Sequence, residues 1–220
     1  MAEKNGSVAK NQEKPLRILY SNSNGIFNKL DELKILLAIH QNVDFVFITE
    51  THLNKDVLDA ELQIDGYSFI RHDRNFQIKI NESNTSMSAG GGSIIYYRNY
   101  ISVSVHDCFD NAPDSLAISI QTSHGNVCLA CIYRSPSLSK YQNDQLISCL
   151  AKVCEESNDF ETVLIGDFNL PDVSWETVLH FIVCVKFPPV LTVPLQPCTG
   201  YLVVCSTGNN VKPLVCPRFD

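Results

Sequence analysis

The stretch Thr162-Val163-Leu164-Ile165-Gly166-Asp167-Phe168-Asn169-Leu170-Pro171 decides how the rest of the chain is read. A short apolar run reads as a buried strand, and Gly and then Pro punctuate the residues after it. Asp167 and Asn169 then sit just past the strand's C-terminal end. Side chains two apart in extended chain point the same way. One carboxylate and one amide therefore face a common spot, with Phe168 turned back into the core. An ionised Asp accepts protons or binds hard metals, and Asn both donates and accepts hydrogen bonds. Asp and Asn also favour turns, so Gly-Asp-Phe-Asn alone reads equally well as a plain strand-to-loop turn. The surrounding sequence has to decide between the two.

A chain of 220 residues fits one domain with tails. Its formal charge of -7 gives no global positive field toward nucleic acid, so any such binding needs a local basic patch or a bound cation. Among the nine cysteines, Cys128 and Cys131 come nearest to metal-finger spacing, but they lie inside an alternating apolar run. An odd count beside a polar N-terminus with no apolar signal segment points to reduced, buried thiols in an intracellular protein, nuclear or cytoplasmic. Residues 1–15 read as a disordered leader.

Working outward, Leu16 to Tyr20 alternates as a first strand and runs into Ser21-Asn22-Ser23-Asn24-Gly25. Lys29 to His40 places Leu30, Leu33, Leu36, Leu37 and Ile39 at helical spacing. Asp44 to Thr49 is a buried-strand run with Glu50 directly after it. Tyr67 to Arg71 and Ser93 to Tyr97 read as strands on either side of the polar, Gly-rich loop Ser83 to Gly92. Ile101 to Val105, Leu116 to Gln121 and Val127 to Tyr133 continue as an antiparallel meander. Gln142 to Cys154 is a second helix, leading into the strand before Asp167. After Trp175 the character changes. Pro188, Pro189, Pro194, Pro197, Pro213 and Pro217 interrupt an apolar tail, residues 176–220, that suggests no particular fold and is too broken to span a membrane.

Polar residues thus collect after four separate strands: Asn22 and Asn24, Glu50, Tyr133, and Asp167 with Asn169. Sites in sheet-built enzymes gather at such ends. Tyr20-Ser21-Asn22-Ser23-Asn24-Gly25, Ile48-Thr49-Glu50-Thr51-His52-Leu53, Ile132-Tyr133-Arg134-Ser135-Pro136 and Ile165-Gly166-Asp167-Phe168-Asn169 resemble, in order and spacing, the endonuclease/exonuclease/phosphatase superfamily. Within it they are most similar to the apurinic-type endonuclease domain of non-LTR (LINE-like) retrotransposons. Gly66-Tyr67, Arg71 to Arg74, Gly90-Gly91-Gly92 and Asn169-Leu170-Pro171-Asp172-Val173-Ser174-Trp175 keep to the same order. The resemblance covers residues 16–175.

The resemblance implies an α/β (α+β) fold, a four-layer α/β sandwich of the DNase I-like type, C-terminally truncated. It also implies Mg²⁺- or Mn²⁺-assisted hydrolysis of a phosphodiester, with DNA as partner and no small-molecule cofactor. Glu50 resembles the metal carboxylate, supported by Asn22 and Asn24. Asp167 would orient or deprotonate the attacking water, Asn169 would position it, and Tyr133 would hydrogen-bond the phosphate. Arg71, Arg74 and Arg134 are candidate contacts to the DNA backbone. The family pattern also calls for a later strand Asp and a Ser-Asp-His, and this sequence contains no Asp-His dipeptide. His180, set among apolar neighbours, reads as a packing residue. The expectation is therefore an incomplete domain with weak or no activity, or a non-catalytic binding remnant, whose second sheet lacks strands and exposes an edge. A phosphatase or sphingomyelinase on the same scaffold fits the motifs less well.

Overall fold

The computed structural model describes residues 16–74, 90–110, 112, 114–122, 125–156, 160–169, 202–207 and 210–214. The leader and most of the tail lie outside these residues.

Two sheets face each other, each with a helix on its outer side. The first has the order β1-β2-β4-β3, built from β1 (Ile18–Asn22), β2 (Phe45–Thr49), β3 (Tyr67–His72) and β4 (Ser93–Arg98). β1 and β2 run parallel, and α1 (Leu30–Ile39) makes the crossover between them. The second sheet holds β5 (Val103–Val105), β6 (Leu116–Thr122), β7 (Gly125–Tyr133) and β8 (Phe160–Asp167). β9 (Leu202–Thr207) and β10 (Asn210–Leu214) complete it in the order β10-β9-β8-β7-β6-β5. In this sheet the parallel pair, β7 with β8, is likewise joined through a helix, α2 (Lys140–Glu156). Parallel neighbours need such a crossover, whereas the antiparallel pairs close through short connections.

Period-two alternation sorts the side chains between layers. Along β2, Phe45 and Phe47 pack between the sheets with Tyr20, Ile95, Ile118, Leu129, Val163 and Ile165. Val46 and Ile48 turn the other way, toward Leu30, Leu33 and Leu37 of α1. Every residue of β2 is buried, as expected of a strand covered on both faces. In the second sheet Ala117, Cys128, Ala130, Ile132 and Leu164 face Leu146, Cys149 and Val153 of α2. Cys131 lies between the sheets, its Sγ 3.8 Å from the Ile48 carbonyl oxygen, and burial pushes its thiol up to about 12. The layers are therefore helix, sheet, sheet, helix, the four-layer sandwich expected from the motifs.

Two expectations need correction. The strand before the central motif does not stop at Ile165. It continues through Gly166 to Asp167, paired in parallel with Ile132 and Tyr133. Gly166 has φ +154°, and a Cβ there would come within 1.8 Å of the Ile132 carbonyl oxygen, so the strand carries on only because this position lacks a side chain. Nor is β8 left as a bare edge. Leu164, Ile165 and Gly166 pair antiparallel with Val204, Val203 and Leu202 of β9. The β9–β10 hairpin, in register Thr207↔Asn210, moves the edge outward to β10. Pro213 sits in that outermost strand, where a missing N–H is tolerated.

Candidate active site

The C-terminal ends of β1, β2, β7 and β8 meet at one end of the seam between the sheets. Register explains why. β1 and β2 run parallel with Asn22 opposite Thr49, so Asn22 and Glu50 emerge together. β7 and β8 run parallel with Tyr133 opposite Asp167. Two parallel pairs, one in each sheet, thus deliver their polar residues at the same level.

Asn22 joins the halves. Its Nδ2 donates to Glu50 Oε1 at 2.8 Å and to Asp167 Oδ2 at 3.1 Å. Its Oδ1 accepts the Asn24 backbone N–H at 3.2 Å. Asn24 itself is exposed and acts here through its main chain. Tyr133 is buried, and its hydroxyl feels the Glu50 carboxylate. Burial first, then the Glu50 charge, push the Tyr133 hydroxyl well above the usual phenol range, so it remains a donor at any working pH. Asp167 is 5 % exposed. Burial raises its pKa, Glu50 adds to the rise, and hydrogen bonds from the Asn169 N–H (3.1 Å to Oδ1) and Asn22 oppose it.

Backbone geometry around the pocket is unusual. Asn24, Glu50, His52, Asp114 and Asn169 all have φ between +43° and +57°. Non-glycine residues are held there only where neighbours over-determine them, and such positions gather at functional sites. The neighbours here are loops laced edge to edge. Ser23, Gly25 and Ile26 donate N–H bonds to the carbonyls of Thr49, Glu50 and Thr51 at 2.8–3.0 Å. On the other side Thr51 and His52 donate to Gly92 and Gly91. His52, to which the sequence motifs assign no role, has Nε2 3.9 Å from Glu50 Oε2.

Asn169 departs from the expectation that it shares a direction with Asp167 as in an extended strand. At φ +44° the chain turns, and Asn169 Nδ2 donates to the Arg134 carbonyl at 3.0 Å. Arg134 replies through Nη1 to the Asn169 carbonyl at 2.9 Å and through Nε to Asn143 Oδ1. Phe168 is buried under α2, as expected.

The three candidate arginines therefore have intramolecular work. Arg134 clamps the Asn169 turn. Arg71 binds Asp59 at 3.1 Å, Asp73 at 3.6 Å and the Val57 carbonyl at 2.9 Å, bracing the loop before β3. Arg74 pairs with Asp114 through both Nε and Nη2. Asp114 is a residue that the sequence motifs do not reveal. Wholly buried, it also accepts the Gly92 N–H at 2.8 Å.

No curated protein matches the chain in sequence. Among solved structures it is similar to a 3′ phosphatase from Neisseria bound to a product DNA hairpin, at 20% identity and a TM-score of 0.50, with 72% of this chain and 60% of that one covered. It is also similar to an AP endonuclease from Leishmania major, at 16% identity and a TM-score of 0.54, with 77% and 60% covered. It is similar as well to the endonuclease domain of TRAS1, a telomere-specific non-LTR retrotransposon, at 15% identity and a TM-score of 0.48, with 72% and 62% covered. The chain thus spans about 60% of the length of the first two. No helix among the described residues is long and apolar enough to cross a membrane. Residues 127–180, which carry Tyr133, Asp167 and Asn169, match the endonuclease-reverse transcriptase family, and the chain has the fold of the endonuclease/exonuclease/phosphatase superfamily, as its motifs implied.

Proposed function

We propose that this pocket hydrolyses phosphodiester bonds in DNA with a divalent cation, Mg²⁺ or Mn²⁺, as the endonuclease domain of a retrotransposon-like protein. One observation carries the reading. Asn22, from the first sheet, bonds both Glu50 and Asp167 across the seam, and Tyr133 stands opposite Asp167 at the same strand ends.

The donor chemistry fits a hard cation. Glu50 and Asp167 are two carboxylates held close by one shared amide. Magnesium characteristically takes one or two carboxylates, keeps several waters and completes its shell with substrate phosphate. Glu50 would hold the ion, with Asn22 and the Asn24 main chain fixing its neighbourhood. A bound cation supplies Lewis-acid stabilisation of charge on the phosphoryl and leaving oxygens.

The chain's own groups do the rest. Asp167, with its raised pKa, is a stronger base than an ordinary carboxylate and would accept the proton of an attacking water. The Asn169 N–H fixes the orientation of that carboxylate, and the Arg134 clamp holds Asn169. Tyr133, a permanent donor, would hydrogen-bond a phosphate oxygen. Arg74 would meet the DNA backbone.

The family's Ser-Asp-His has no counterpart in the sequence, and loss of an active-site member costs orders of magnitude in rate while leaving some residual catalysis. Hydrolysis by this chain is accordingly slow. The same absence favours a second reading, a DNA-binding module without turnover. Nicking of supercoiled plasmid with Mg²⁺, compared with Glu50→Ala and Asp167→Ala, tests both. Slow nicking lost in either variant supports the enzyme. Binding of duplex DNA without nicking supports the module, and equal nicking by all three proteins overturns the site.

A further inference from the structure

Asp114 and Ser115 form a short segment that bonds to β3, β4 and β7 at once. The Ser93 hydroxyl donates to the Asp114 carbonyl, and the His72 ring nitrogen lies 2.7 Å from the Ser115 carbonyl oxygen, both from the first sheet. From the second sheet, the Tyr133 backbone N–H donates to Ser115 Oγ at 3.2 Å. The Asp114 side chain then divides its oxygens. Oδ1 takes the Gly92 N–H at 2.8 Å, and the Arg74 fork occupies both oxygens through Nε and Nη2.

That fork fixes where the positive charge lies. The Arg74 guanidinium rests against Gly91, where a Cβ would come within 2.4 Å of it and would have to displace it. The Gly91 carbonyl in turn accepts the His52 N–H beside Glu50. Arg74 is close enough to feel the Glu50 charge and to act on the Tyr133 hydroxyl. Arg71 is held by Asp59, Asp73 and the Val57 carbonyl, and Arg134 by the Asn169 carbonyl and Asn143. Among the described residues, Nη1 of Arg74 has no acceptor, and that N–H pair remains for an incoming anion.

We infer that Asp114 is a positioning residue of the site, holding Arg74 by its fork so that the free side of the guanidinium receives a phosphate oxygen of a DNA strand lying across Glu50 and Tyr133. The inference rests on the phosphodiesterase reading above and adds the group that aims the cation. A carboxylate suits the task because a bidentate pair fixes the guanidinium plane as well as its place. Its full burial removes water that would loosen the pair.

The test uses the full chain, a fluorescein-labelled duplex DNA oligonucleotide, and Ca²⁺ in place of Mg²⁺ so that binding is read without cleavage. Affinity is measured across a salt series for the parent, Arg74→Ala, Asp114→Asn and the double variant, with thermal unfolding of each recorded alongside. Arg74→Ala is expected to weaken binding roughly tenfold and to lower the salt slope by about one phosphate contact. Asp114→Asn should reproduce both effects, and the double variant should add little, because one contact is lost each time. An unchanged slope in Asp114→Asn, with only a lower unfolding temperature, overturns the inference by making Asp114 a folding residue. If Asp114→Asn does not fold, Arg74→Ala decides: it leaves the Gly92 bond in place, and parent-like affinity and slope overturn the inference. Should Glu50→Ala abolish plasmid nicking while Arg74→Ala binds normally, the inference fails and the enzyme reading stands. A parent chain that binds no DNA removes both.

Discussion

Asn22 spans the seam between the sheets, its single amide nitrogen reaching Glu50 Oε1 at 2.8 Å and Asp167 Oδ2 at 3.1 Å. Two carboxylates that would repel each other share one donor. Asn22→Ala leaves both facing a gap, one of them buried. The expected cost is about 1–3 kcal/mol, the range for an unsatisfied buried acceptor. A urea midpoint equal to the parent's would show that the shared donor contributes nothing. Added Mg²⁺ should raise the unfolding temperature of the parent and fail to do so in Glu50→Ala, since a ligand stabilises only the state that binds it.

The raised pKa of Asp167 gives a signed pH effect. Burial is the largest cause, so the folded state holds its proton to a higher pH than the unfolded chain does. Between the ordinary carboxylate range and the raised value the native state binds more protons, and stability therefore falls as pH rises through that window. Asp167→Asn has no proton to lose. Its unfolding temperature relative to the parent should climb from about pH 4 toward neutrality, the lower point being the usual Asp value. A difference that stays flat across the same range would mean that the folded carboxyl titrates like a free one.

Gly166→Ala should be among the most damaging single methyl additions in the chain. The new Cβ meets main chain, the Ile132 carbonyl at 1.8 Å, which no rotamer change relieves. The strand pair β7–β8 must part locally, taking the Tyr133–Asp167 register with it. A loss of more than ~3 kcal/mol, or failure to accumulate as folded protein, is expected. Near-parental denaturant resistance would contradict the register.

Removing residues 201–220 tests the added hairpin. Leu164, Ile165 and Gly166 would lose their β9 partners and present unpaired N–H and C=O groups along an apolar strand. Such edges recruit other chains. Light scattering of the shortened protein should show association that rises with concentration, while the full chain stays dispersed. If both scatter alike, β9 does not protect that edge.

Elements with local signals are legible in the sequence. β2, β6 and β7 are plain because apolar runs bounded by turn residues are strands in almost any setting, and α1 and α2 because their periodicity is helical. Asn22, Glu50, Tyr133 and Asp167 can be grouped from sequence because each directly succeeds or closes such a run. The tail hairpin is hidden because its prolines outweigh a weaker cue, Gly208-Asn209 between two apolar segments, a pair of residues common in tight hairpins. Asp114 is hidden for a different reason. After Pro113 it looks like turn filler, and only contacts with Arg74, 40 residues earlier, and with Gly92 show what it does. The intramolecular partners of Arg71 and Arg134 are hidden in the same way, since no local pattern links these arginines to Asp59, Asn143 or the Asn169 carbonyl.

The thiol of Cys131, sealed between the sheets and held protonated, makes the molecule its own gauge of opening. An alkylating reagent can reach it only when the two layers come apart, and only a thiolate reacts. Its labelling rate therefore counts seam-parting events, and any ion or nucleic acid that grips both layers at the strand ends should slow that clock.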